Sequence, residues 1–261
     1  MSRVIRLLIA YDGGNYLGWQ RQLQGRTIQG ELEKRLTALC GQVITLHGAG
    51  RTDTGVHALG MVAHFRTATT IPLVAFFKGL NSMLPGDIRI LAAEPAPSDF
   101  HSRFSALAKT YRYDFFTGAV MPPCQRQYRA HFPGPFDPHR LHSALQTITG
   151  THDFSSFERA GSRDKNALSG RGAVRTLFAA RCFPNLGQEE CWSIRVTGDG
   201  FLRQMVRILA GTLITIGQEK TAANAMAGIL AARDRTRAGL TAPACGLFLE
   251  QIAYSPRPFQ P

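Results

Sequence analysis

Acidic side chains are scarce in this sequence. Its 261 residues carry 18 Asp and Glu against 30 Lys and Arg, a formal charge of +12. That balance excludes an acidic, solvating role and points to a polyanionic partner, nucleic acid foremost. Cysteine is scarce as well. Cys40, Cys124, Cys182, Cys191 and Cys245 are odd in number and scattered, without a C-x-x-C pair, which speaks against a disulfide framework and against a thiolate metal or redox site. No run approaches the roughly 18 uninterrupted apolar residues of a membrane span. The N-terminal MSRVIRLLIAYDGG reads as a first strand and not as a secretory signal, so the expected compartment is the cytoplasm. Neither a Walker A pattern nor a strand-linked G-x-G-x-x-G occurs, and no nucleotide cofactor is expected. His139 and His142 lie three apart on a predicted helix with no Cys or second His pair near them, so no metal is expected either.

What the chain does have is a core. At 44% hydrophobic it suits one large domain or two small ones. Val4 to Tyr11 reads as a buried strand, and Thr27 opens a helix with Ile28, Leu32, Leu36 and Leu39 at helical spacing. Val43 to His47 and Met61 to Phe65 read as strands. Pro72 precedes a helix through Phe76, Leu80 and Leu84, and Asp87 to Leu91 closes the set. The order β-α-β-β-α-β is ferredoxin-like. It then repeats: Tyr111 to Phe116, a helix capped by Asp137 and Pro138 with Leu141, Leu145 and Ile148, and a hairpin of Val174 to Phe183 with Trp192 to Val196. A helix from Phe201 through Met205, Ile208, Leu209, Thr212 and Ile216 follows, then an extra helix within Thr221 to Ala232 and a last strand, Leu247 to Ala253. The expected fold is α+β, with two ferredoxin-like halves at 1–105 and 106–261. Their sheets join into one mixed or antiparallel sheet, with helices on the outer face and an RNA-binding cleft on the other. Gly118 to Pro135 and Ser155 to Arg175 read as long loops. In the second, Arg159, Arg163, Lys165, Arg171 and Arg175 either hold phosphates or belong to a solvated connector.

Three segments carry chemistry. In Gly50-Arg51-Thr52-Asp53-Thr54-Gly55-Val56-His57, a carboxylate sits between an arginine and a glycine turn. A nearby guanidinium favours its charged form, which makes it a usable nucleophile or base; Asp-Thr-Gly is also an ordinary turn sequence. In Ala108-Lys109-Thr110-Tyr111-Arg112-Tyr113, period two puts Lys109, Tyr111 and Tyr113 on one face, and a tyrosine beside a cation suits an unstacked base and its phosphate. Tyr113 is read as a core aromatic. In Phe201-Leu202-Arg203-Gln204-Met205-Val206-Arg207, a helical reading places Arg203 and Arg207 one turn apart on the same side, within reach of a carboxylate.

Together with Tyr11-Asp12-Gly13, Gly18-Trp19-Gln20, Leu84-Pro85-Gly86-Asp87-Ile88, Phe100-His101, Arg103-Phe104, and Thr241-Ala242-Pro243-Ala244 with Gly246-Leu247, these segments resemble the tRNA pseudouridine synthase A family over nearly the whole chain. The resemblance implies conversion of uridine to pseudouridine at positions 38, 39 and 40 of the tRNA anticodon stem-loop, without cofactor or metal, by a homodimer. It matches Asp53 to the catalytic aspartate, Tyr111 to the tyrosine that stacks on the target base, Arg51 to the arginine before the aspartate, and Arg207 to the basic residue that pairs with it. His57, Arg103, Lys109, Arg203 and Leu247 are expected as further RNA contacts. Thr54 stands where the family often has Ala, Gly14 where Thr is usual, and the 155–175 loop departs from the family pattern. A non-catalytic RNA-binding protein would leave Asp53 unexplained in a phosphate-binding groove. An RNA N-glycosidase would use an aspartate beside C1′ but release the base.

Overall fold

The computed structural model describes residues 2–162 and 171–254. The chain divides into two compact units, Met1–Lys109 with Phe248–Pro261, and Thr110–Leu247.

The first unit begins with β1 (Arg3–Tyr11), in which Ile5, Leu7, Ile9 and Tyr11 alternate into the core. Thr27 then caps α1 (Ile28–Cys40), its hydroxyl accepting the Gly30 N–H, and Gly41 at φ 65° ends the helix in the left-handed conformation. Ile28, Leu32 and Leu36 form its buried stripe. After β2 (His47–Gly48) come β3 (His57–Thr67), a π-helical turn (Ala75–Gly79) leading into α2 (Leu80–Met83), and β4 (Ile88–Ala96). β1 pairs antiparallel with both β3 and β4, and β2 pairs antiparallel with β3. The order β4-β1-β3-β2 is that of a split βαβ unit.

Two expectations are corrected here. The strand expected over Val43 to His47 contracts to His47–Gly48. Ile44 and Leu46 do bury alternately, but their backbone N–H groups donate to Thr37 Oγ1 at 3.2 Å and Glu33 Oε1 at 2.9 Å. Side chains of α1 thus satisfy what a ladder would have satisfied. The helix expected through Leu84 stops at Met83, because Leu84 is extended at ψ 146°, as a residue before Pro85 tends to be.

The second unit continues with β5 (Ala108–Phe116), β6 (Ala130–His131), α3 (His142–Ile148), β7 (Gly150–Asp153), β8 (Val174–Pro184), β9 (Cys191–Gly198), α4 (Met205–Gly217) and α5 (Ala225–Ala232). Its strand order is β5-β9-β8-β7, with β6 beside β5. The final strand, β10 (Leu247–Ala253), pairs parallel with β3, Phe248 opposite His57 and Leu249 opposite Ala58. Residues 248–253 of β10 therefore pack with the first unit, whereas the sequence division kept this strand with the second half. The class is α+β with mixed strand pairing, as expected. No helix among the described residues is long and apolar enough to cross a membrane.

β3 also carries the buried His64, 4% exposed. Its Nδ1 accepts the Ser102 N–H at 3.1 Å, while Ser102 Oγ donates to the carbonyl of His47. Burial, then the neighbouring His101 and His47, push its pKa down from 6.5 to about 4. A histidine whose folded pKa is depressed takes its proton more readily when unfolded, so its contribution is complete above about pH 6.5 and is lost as pH falls toward 4. The thermal midpoint is expected to fall across that window by the equivalent of about 2–3 kcal/mol, and His64→Gln to flatten the fall. Parallel pH curves for the two proteins would refute this.

Candidate active site

Asp53 is half-buried in the turn that joins β2 to β3. Its carbonyl accepts the Val56 N–H at 3.2 Å, and Gly55, at φ 76°, supplies the left-handed residue that closes the turn. A second segment, residues 11–19, runs alongside and grips the turn at several points. The Tyr11 hydroxyl bonds Thr52 Oγ1 at 2.8 Å. The Trp19 N–H donates to the Thr52 carbonyl at 3.1 Å, and the Gly55 N–H to the Tyr16 carbonyl at 3.4 Å. The Gly13 N–H donates to His57 Nδ1 at 3.1 Å.

Backbones can approach this closely only where side chains are missing. A Cβ on Gly13 would stand 2.0 Å from the Val56 carbonyl oxygen, and one on Gly18, itself at φ 93°, 2.5 Å from that of Thr52. The grip is braced from outside. His57 is 1% exposed, lies 3.0 Å from Asp12 Oδ1 and stacks on Phe248 with ring centroids 4.8 Å apart. Tyr16 donates to Asp87 Oδ1 at 2.6 Å; burial and that hydrogen bond raise its pKa, keeping the hydroxyl protonated as a donor. Lys109 Nζ donates to the Ala49 carbonyl at 2.7 Å, at the start of the same turn.

The first unit thus gathers Arg51, Asp53, His57 and Lys109 on or against one turn. Arg51 is exposed there, and Arg103 is exposed on a separate turn. Tyr11, Gly13, Tyr16, Gly18 and Trp19 form the grip, a role that sequence reasoning missed. The glycines in Tyr-Asp-Gly and Gly-Trp were the available signal, since an unexplained glycine often marks close backbone approach.

In the second unit, Tyr111 is 8% exposed and packs edge-to-face on Phe201, ring centroids 5.0 Å apart. It follows Lys109 by two residues on β5 and so shares its face. Tyr113 is a core aromatic as expected, fully buried, with its hydroxyl donating to the Pro243 carbonyl at 2.9 Å. Arg207 lies in the first turn of α4, and its Nε donates to the Ala242 carbonyl at 2.7 Å. The Ala242 N–H returns a bond to the Arg207 carbonyl at 3.1 Å, so Arg207 holds the segment that leads to the buried Leu247.

The helix expected from Phe201 begins only at Met205, because Gln204 is left-handed at φ 61°. Arg203 therefore precedes the helix, exposed, and is not one helical turn from Arg207. In the 155–175 loop, Arg171 pairs with Asp199 and Arg175 donates to the Gly172 and Val174 carbonyls. Arg159 is exposed; Arg163 and Lys165 lie outside the described residues.

The family profile described as tRNA pseudouridine synthase matches residues 7–105 and 144–255. The chain is 50% identical over 252 residues to tRNA pseudouridine synthase A 1 of Desulfotalea psychrophila, covering 97% of this chain and 100% of that protein. It is 42% identical to tRNA pseudouridine synthase A of Maridesulfovibrio salexigens, covering 96% of this chain and 90% of that one. It is also 42% identical to tRNA pseudouridine synthase A of Geotalea uraniireducens, covering 97% and 100%. Agreement of this extent means that the chain belongs to the tRNA pseudouridine synthase family.

Proposed function

We propose that this protein isomerises uridine to pseudouridine at positions 38, 39 and 40 of the tRNA anticodon stem-loop, with Asp53 as the catalytic nucleophile or base. The observation that carries this reading is the Asp53 turn, a half-buried carboxylate on a loop held by bonds from residues 11–19 and from Lys109. A structural turn has no need of so many restraints; a reacting group, which must meet its target within a fraction of an ångström, does.

The reaction breaks the bond between N1 of uracil and C1′ of ribose, turns the base, joins C5 to C1′, and exchanges the C5 proton for one taken up on the freed N1. Product and substrate have the same atoms, so no cofactor is consumed. Asp53 acts either by adding to C6 of the base or at the sugar, through attack on C1′ or removal of a sugar proton to form a glycal-like intermediate. Tyr111 stacks on the flipped base, whose extraction costs a few kcal/mol. Arg51 and Arg207 are the basic residues assigned to the carboxylate and the substrate. Arg103, Lys109 and Arg203 carry cations for the RNA backbone. His57 and Leu247, both buried, serve by positioning the turn and the β10 segment. The working form in this reading is a cytoplasmic homodimer acting on tRNA.

Three outcomes follow. Asp53→Asn is expected to fold and bind tRNA like the parent while forming no pseudouridine, measured by nucleoside analysis of an unmodified tRNA; product from the variant would refute the assignment, and free uracil from the parent would indicate a glycosidase. Gly18→Ala is expected to lower kcat about 100-fold with tRNA affinity kept, since an ångström of misplacement costs on that order; unchanged kcat would show that the grip does not position Asp53. tRNA affinity should fall at least about tenfold between roughly 50 and 200 mM salt, and a flat titration would contradict a phosphate-binding surface.

A further inference from the structure

Phe104 is 76% exposed, yet the turn that carries it is tightly built. The N–H groups of Arg103 and Phe104 both donate to His101 Nδ1, at 3.1 and 3.3 Å. The His101 N–H donates to Ser105 Oγ at 3.1 Å, and the Ser105 N–H to the His101 carbonyl at 2.9 Å. Accepting two donors at Nδ1 requires a neutral imidazole on that side. Burial, then the charges of His47 and Arg103, lower the His101 pKa and favour this state.

Phe104 adjoins a cluster of three histidine rings, of which His64 is buried and His47 exposed. Phe104 and His101 have centroids 4.3 Å apart, His101 and His64 4.8 Å, and His64 and His47 5.2 Å. His47 and His101 are themselves 5.8 Å apart, so Phe104 rests on a cluster that reaches β2, immediately before the Asp53 turn. The Arg103 guanidinium lies 5.7 Å from the Phe104 centroid. Among the described residues no three His, Cys, Asp or Glu side chains are grouped as a metal site would need, and the rings of the cluster meet by their faces and edges.

An exposed Phe alone is ordinary; one packed on a histidine ring, beside a guanidinium and on a hydrogen-bonded turn, presents a flat face next to a cation. Because its neighbours are a histidine ring, His101, and a guanidinium, Arg103, on a chain of charge +12, the occupant best matched is a flat π-system attached to a phosphate. We propose that Phe104, supported by His101 and flanked by Arg103, is a stacking platform for one unpaired RNA base other than the target uridine, with Arg103 taking that nucleotide's phosphate. This rests on the RNA-modifying function proposed above and adds a second base-binding position to it.

The test uses the full chain and a short unpaired oligonucleotide containing 2-aminopurine, with a fully paired RNA duplex of equal length as control. Stacking on an aromatic side chain is lost on truncation to alanine, so Phe104→Ala should weaken binding of the unpaired RNA by about tenfold or more and leave duplex binding within about twofold. Phe104→Trp should restore the affinity, and the fluorescence of Trp at 104 should be quenched by the RNA. Equal losses on both RNAs, or no loss on either, would overturn the proposal. So would a change in sedimentation of Phe104→Ala, which would identify a second copy of the chain as the occupant. Since these measurements read binding and not product, a protein that binds as described but leaves tRNA uridine unmodified would refute the proposed reaction and not the platform.

Discussion

The structure around Asp53 depends on one constraint: two stretches of backbone, residues 13–18 and 52–56, lie closer than any side chain would permit. Gly13 and Gly18 remove the Cβ atoms that would collide with the Val56 and Thr52 carbonyls. Everything else in the grip follows from that approach. Tyr11 is the last residue of β1 and His57 the first of β3, so the grip closes where the two strands end their ladder. The register shifts between Ile9 and Tyr11, and such an irregularity re-aims the side chain at a strand end. Here it accompanies a Tyr11 hydroxyl bonded to Thr52, beside the carboxylate.

Much of the fold was legible because its signals are local. The apolar run over Val4 to Tyr11, the Thr27 cap with its Ile28, Leu32, Leu36 stripe, and the Val174 to Trp192 hairpin each depend on neighbours in sequence, and each appears where expected. The failures have separate causes. Val43 to His47 alternates like a strand, but its N–H groups are taken by Thr37 and Glu33 of α1. β6 and β7 are too short to show periodicity. The start of α4 is set by a single left-handed residue, Gln204, a non-glycine that nothing in the sequence marks for that role.

The candidate site was legible in its chemistry and not in its mechanics. Spacing and residue type drew attention to Arg51, Asp53, Lys109 and Tyr111. Nothing in the same stretch shows that Lys109 would donate to the Ala49 carbonyl, or that His57 would be buried within the turn. Those are tertiary bonds between segments about 45 to 60 residues apart in sequence, and period or propensity carries no trace of them. Glycines were the exception. Their function is steric exclusion, which can be suspected from sequence and is measured only in three dimensions.

The pairing of β10 with β3 has a consequence for how this protein is made. Phe248 and Leu249 complete a ladder whose other half, His57 and Ala58, was laid down some 190 residues earlier. At a synthesis rate of about 5–20 residues per second, a nascent chain waits roughly 10–40 seconds for that partner. During this interval the strand edge beginning at His57 is uncovered next to the grip on Asp53, and His57 lacks the Phe248 ring it later stacks on. The first unit therefore gains its last strand only after the second unit has been synthesised, and synthesis must pass Leu249 before the Asp53 turn has all of its supports.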